Sequence, residues 1–226
     1  GGLGTTGDHQ FCVVNKIGGA WSLPSPMSAP TTLTGGFQTV LVTIPVAPGL
    51  ADPEQVVTAR EIYASKANTN TTVAALSNGA SFPGSGGSTT INVASTSNFP
   101  ASGTLYISNS TGALQRVTYT GGGGGGTTFT GCSGGFGTML LSGYVSGALY
   151  LVGTVSDNVT TTFSFAIADA SFGTLTLPVE FASANQLLSN GGFGYIENIF
   201  NNNPTTGLAW TRDEIEQIEA GLQFVP

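Results

Sequence analysis

Charge is what this sequence has least of. Asp, Glu, Lys and Arg make up 8% of the 226 residues, against roughly 25% in ordinary soluble domains. Solubility therefore rests on hydroxyls, amides and backbone, and much of the surface is expected to be covered by neighbouring subunits. Basic residues are scarcer still: Lys16, Arg60, Lys66, Arg116 and Arg212 stand against 12 acidic residues, giving a net charge of −7 and a pI near 4.3. Scattered as they are, these five make no stripe for phosphates, which excludes a nucleic-acid partner. No stretch reaches the roughly 18 apolar residues of a membrane helix. No basic-then-apolar leader precedes the chain either, so neither a membrane partner nor a signal peptide is expected. The chain opens on Gly1, as after processing or truncation.

The same scarcity limits the chemistry. His9 is the one histidine, and its neighbour Asp8 would point to the opposite face of a strand, so a turn or edge position is expected rather than a catalytic base. Two cysteines lie far apart, Cys12 in an apolar run and Cys132 in a glycine turn. Free thiols are the preferred reading and one disulfide the alternative; the spacing fits no metal site. Glycoside hydrolysis needs two carboxyls about 5–9 Å apart in a cleft. Glu61 instead sits mid-strand, Asp52 and Glu54 flank a proline, and Asp213, Glu214, Glu216 and Glu219 crown a helix. Asp157-Asn158 reads as a tight hairpin turn, since no DxDxDG calcium loop surrounds it. No catalytic residue, metal or cofactor is expected.

Glycine and β-patterning are what the chain has in plenty. There are 34 glycines, and short alternating runs mark strands rather than disorder. FCVVNKI (Phe11 to Ile17) is followed by a proline-rich extended connector, WSLPSPMSAP. QTVLVTIPV sets Val40, Val42 and Ile44 on one face and Thr39, Leu41 and Thr43 on the other. VTAREIYAS alternates less cleanly, as on an edge or two-sided strand. From about Ser77 to Ser146, TTINVAST, GTLYISN, QRVTYTG and TTFTG read as short strands separated by turns. The run Gly121, Gly122, Gly123, Gly124, Gly125 and Gly126 is expected to form an exposed tip. It carries no lysine and opens no helix, so it cradles no phosphate. In TTFSFAIA, Phe163, Phe165 and Ile167 share a face. Near the end Thr211 and Glu214 have capping-box spacing. Ile215, Ile218 and Leu222 then line one face of a helix over 211–221, which must dock on something to persist. Phe193, Tyr195, Phe200 and Trp210 make a candidate docking or glycan-stacking patch.

Several strings also carry a resemblance. GDHQFCVVNKIGGAWSLPSP, TVLVTIPVAPG, TAREIYASKA and YLVGTVSDNVTTTF together resemble a fibronectin-type-III-like sandwich of tailed-phage virion proteins, over about half the chain. The middle, INVASTSNFPASGTLYI through VTYTGGGGGGTTFTGCSGG, is similar to a small β unit of phage tail and appendage proteins. WTRDEIEQIEAGLQ resembles the closing segment of phage lectin-like jelly rolls. The resemblance implies an all-β chain, a fibronectin III/immunoglobulin-like sandwich of residues 1–76 plus 147–178. A β module would be inserted at 77–146, with a C-terminal docking segment at 179–226. It implies a virion location and a non-enzymatic role as capsid decoration, head fibre or tail appendage. The partners would be capsid or tail proteins and further copies of the chain. A glycan- or receptor-binding module is the alternative, with host-surface glycan as partner.

Overall fold

The computed structural model describes residues 4–17, 20–35, 39–46, 56–74 and 81–177. The aromatic set Phe193, Tyr195, Phe200 and Trp210 and the helix residues Thr211, Glu214, Ile215, Ile218 and Leu222 lie outside them, as do Asp52 and Glu54. The described chain is all-β. Its strands are β1 (Gly7–His9), β2 (Phe11–Ile17), β3 (Ala20–Trp21), β4 (Thr31–Leu33), β5 (Val40–Thr43), β6 (Val57–Ser65) and β7 (Asn70–Thr72). There follow β8 (Gly84–Asn92), β9 (Gly103–Ser108), β10 (Leu114–Tyr119), β11 (Thr128–Gly134), β12 (Tyr144–Ser146), β13 (Leu149–Val155) and β14 (Thr162–Phe165).

FCVVNKI is apolar at four successive positions because both of its faces are buried. Phe11 and Val13 enter one core, with Ile62, Ala64, Val152, Leu33, Ile44 and Phe165. Cys12 and Val14 enter another, with Tyr63, Leu149, Tyr106 and Leu114. β2 and β6 are thus the inner strands of a sheet ordered β13-β6-β2-β3. This settles the uneven pattern of VTAREIYAS: the strand is covered on two sides, not an edge. The first core is closed by the pairs β1–β4 and β5–β14, whose inward residues include Leu33, Val40, Val42, Phe163 and Phe165. Burying side chains of this size stabilises by about 1.5–3 kcal/mol each.

The connector after β3 is more than an extended link. Ser22, Ser25 and Ser28 each donate their backbone N–H to a β2 carbonyl, of Asn15, Val13 and Phe11 respectively, at 2.8–2.9 Å. Each serine Oγ in turn accepts the N–H of that same β2 residue at 3.0 Å. Three connector residues thus advance for every two of strand. Prolines at 24, 26 and 30 hold the segment extended without needing donors of their own.

The middle of the chain forms a six-stranded antiparallel sheet ordered β7-β12-β9-β10-β11-β8. Its two ends meet. Val73 bridges Val93, Ala74 N–H reaches Asn92 O and Ala94 N–H reaches Thr72 O, both at 3.0 Å. The sheet is therefore a closed barrel, filled by residues such as Ile91, Phe99, Leu105, Ile107, Val117, Phe129 and Val145. It takes in Asn70–Thr72, ahead of the boundary at 77 drawn from composition. On β9, Leu105 and Ile107 point inward, while Tyr106 points out into the core shared with Cys12 and Val14 and donates to Leu177 O at 3.0 Å. One strand thereby serves two cores.

The glycine run joins β10 to β11, as its neighbours suggest, but only half of it is an exposed tip. Gly121 pairs with Thr130, Gly124 N–H reaches Thr96 O, and Thr96 N–H reaches Gly126 O. Gly121, Gly122 and Gly123 are half-buried, and Gly124, Gly125 and Gly126 are exposed. A Cβ at Gly122 would collide with the Thr128 carbonyl oxygen, and one at Gly123 with that of Pro100. The run is a packed turn whose far side faces solvent.

Asp157 is not in a hairpin. β13 pairs with β6 and β14 with β5, so residues 156–161 carry the chain from one sheet to the other. The Asp157 carboxylate shapes that crossing, accepting the N–H groups of Val159 and Thr160 at 2.8 Å.

Candidate functional site

The chain passes from the β13-β6-β2-β3 sheet to the barrel between β6 and β7, and from the barrel to that sheet again between β12 and β13. These two crossings lie side by side: Gly147 N–H donates to Thr69 O at 2.8 Å, and Thr69 Oγ1 donates to Lys66 O at 2.7 Å. The start of β9 flanks them, and a groove of about 480 Å³ opens at this seam, lined by Lys66, Thr69, Pro100, Ser102, Thr104 and Tyr150 among others. That volume lies within the range of small-ligand sites, which favour such junctions. The Lys66 ammonium stands 5.2 Å from the centre of the Tyr150 ring, a cation–π distance. Phe172 packs on the same ring at 5.6 Å and fixes it. The hydroxyls of Ser102, Thr104 and Tyr150 have no hydrogen-bond partner among the described residues. Behind the groove, burial pushes the Tyr106 hydroxyl up to about 12, against the opposing pull of Arg116 beside it.

The other polar clusters are spent on structure. Glu61 accepts from Trp21 Nε1 at 3.1 Å and from the Tyr63 hydroxyl at 2.8 Å, and pairs with Lys16 at 3.4 Å. Burial, followed by the hydrogen bond to Glu61, holds the Tyr63 hydroxyl protonated well above its ordinary range. Arg60 is fully buried mid-strand and reaches Asp157 O, Asp157 Oδ1, Pro45 O and Thr160 O. His9 is also fully buried, each ring nitrogen 2.9 Å from a carbonyl oxygen, of Ser65 and of Thr5, with Phe165 against its ring. Nδ1 joins β1 to the end of β6, and Nε2 ties His9 to the segment just before β1. Cys12 and Cys132 are free thiols in separate cores, raised by burial to about 12 and about 11. Thiols so protonated are poor nucleophiles at neutral pH. Among the described residues no three His, Cys, Asp or Glu side chains cluster to hold a metal.

Comparison with protein-family models, curated proteins and solved structures returns no match. The site therefore stands on its own residues. Of those singled out in the sequence, the glycine run is placed at the β10–β11 turn; none of its six residues lines the groove, though Gly123 packs against Pro100, which does. Neither Lys66 nor Tyr150 gave any local signal, because the groove exists only once strands 6, 9 and 13 are assembled. Arg60 did give one: a guanidinium inside an apolar strand needs buried acceptors.

Asp157 supplies a pH signature. Its carboxyl is held at about 2, below the ordinary 3.8, first by the Thr160 hydroxyl, then by the Thr160 and Val159 N–H groups, with Arg60 adding to them. A pKa lowered by folding contributes stability above the unfolded value and loses it as pH falls through the folded one. The thermal midpoint of the native protein should therefore exceed that of Asp157→Asn at pH 5. The gap should narrow below 3.8 and close near pH 2. A gap independent of pH would contradict this account.

Proposed function

We propose that the chain is a non-enzymatic structural component of a tailed-phage particle. It would be built on a fibronectin-III-like sandwich with the barrel inserted between β6 and β13. It acts by adhesion to further copies of itself and to capsid or tail proteins, as a decoration protein, head fibre or tail appendage.

One observation carries this reading. The segment between β11 and β12 exposes Phe136, at 76% of its surface, together with Leu140 and Leu141, and β12 opens with exposed Tyr144. It does so on a pinned backbone. Phe82 N–H reaches Gly137 O, Leu140 N–H reaches Ser108 O, and Phe136 N–H reaches Gln115 Oε1, all within 3.0 Å. Met139, between them, is buried in the barrel. Large apolar side chains on a fixed backbone lose little entropy when they dock. Scarce charge also keeps the desolvation cost of such a contact low and removes repulsion between close copies. Symmetric homo-oligomers are the expected outcome.

Sedimentation equilibrium over a range of concentrations tests this. The native protein is expected to self-associate, and the double variant Phe136→Asp, Leu141→Asp to sediment as a folded monomer. A native protein that stays monomeric and does not co-sediment with any particle would overturn the proposal.

A further inference from the structure

Lys66 is the unmatched cation of the seam. Lys16 is paired with Glu61 and Arg60 with Asp157, whereas no carboxylate pairs with the Lys66 ammonium among the described residues. Of the four acids among the described residues, Asp8, Glu61, Asp157 and Asp169, none pairs with it, so within those residues the ammonium is open to an outside anion. The groups around it have one character. Ser102 and Thr104 offer small hydroxyls, Tyr150 offers a hydroxyl on a fixed ring, and Pro100 offers a flat apolar surface. We propose that this groove binds an acidic saccharide, its carboxylate meeting Lys66 and its hydroxyls meeting Ser102, Thr104 and Tyr150.

The chemistry selects this class over its rivals. A polyphosphate calls for several cations or a nest of backbone N–H groups, and the groove lining holds one cation. A metal ion would find an ammonium in place of carboxylates. A purely apolar ligand would strand the three hydroxyls. A neutral sugar would satisfy the hydroxyls and leave the ammonium idle. A uronic acid answers both, because hydroxyls that both donate and accept match sugar hydroxyls. An ammonium held over an aromatic face also gives a charge-assisted bond to a carboxylate.

The inference is independent of the assembly reading. A monomeric protein would leave it standing, and a failed titration would leave self-association untouched. The test is an amide NMR titration of the full chain with tetragalacturonate, with maltotetraose and with acetate as separate probes. Tetragalacturonate is expected to shift and saturate the amides of Lys66, Ser102, Gly103, Thr104 and Tyr150. Maltotetraose should bind about tenfold more weakly, the value of one charge-assisted hydrogen bond. Lys66→Gln should abolish that preference and Thr104→Val weaken both sugars. Neither substitution removes a core side chain, and the unperturbed remainder of the spectrum reports the fold. Three results would each overturn the proposal: no shift at these amides, a uronate preference that survives Lys66→Gln, or acetate binding as tightly as the tetrasaccharide.

Discussion

Replacing Arg60 with leucine is expected to lower the unfolding free energy by about 3–5 kcal/mol, the cost of breaking a buried charged network from one side. The guanidinium lies at zero exposure in the middle of β6. Its Nε meets Asp157 O at 3.0 Å, one terminal nitrogen meets Pro45 O at 3.1 Å, and the other meets Asp157 Oδ1 at 3.1 Å and Thr160 O. Those acceptors lie just past β5 and in the crossing between β13 and β14, so one side chain ties β6 to both. Leucine would fill part of the volume and leave three carbonyls unpaired, each costing about 1–3 kcal/mol if water cannot replace the donor. At roughly 2–4 °C per kcal/mol for a chain of this size, the thermal midpoint should fall by about 10 °C. Arg60→Lys should recover little, because an ammonium cannot reproduce the planar fork. Urea unfolding followed by circular dichroism measures both. A loss below about 1 kcal/mol, the usual worth of an exposed pair, would show that the network is not what holds the loop.

Within the glycine run, alanine is expected to be costly at Gly123 and tolerable at Gly124. The Gly123 Cβ would fall on the Pro100 carbonyl, a backbone atom with no rotamer by which to retreat. That Pro100 oxygen also accepts the Tyr119 hydroxyl at 2.8 Å, and Tyr119 packs on Phe129 in the barrel core at 4.6 Å. Relief by moving Pro100 would therefore disturb the core, for a cost of about 3 kcal/mol. Gly124 has a positive φ of 85° but nothing within 4 Å, so its alanine variant pays only the left-handed penalty of about 1–2 kcal/mol. Equal costs at the two positions, read from urea midpoints, would mean the run behaves as a generic linker.

The sequence made individual strands legible and their partners illegible. β5 and β14 stand out because apolar side chains recur with period two, β2 because its apolar run is unbroken, and β6 is hard to orient because both its faces are buried. Barrel closure depends on Val73 finding Val93, a pairing set by curvature and not by either local pattern. The serine connector escaped notice for another reason. Its period of three follows backbone hydrogen bonding and has no apolar face to reveal it. The groove is less legible still, since Lys66 and Tyr150 come from strands joined only through the finished sheet. Asp157 read as a hairpin because Asp-Asn favours turns, and a crossing between sheets uses the same turn chemistry.

Closure of the barrel explains how the chain can live with so few charges. Proteins rich in sheet usually discourage stray strands from adding to an open border by placing lysines or other charges there. Here the six-stranded sheet has no border, since β7 and β8 meet through Val73 and Val93. The outer side of β2 is taken up by Ser22, Ser25 and Ser28. On the far side of the same sheet, Tyr150 bridges Thr176, and Leu149 and Leu151 bond the backbone of Leu177 and Leu175. Protection against aggregation in these two sheets is topological where other proteins make it electrostatic. An exterior relieved of that duty is free to stay neutral.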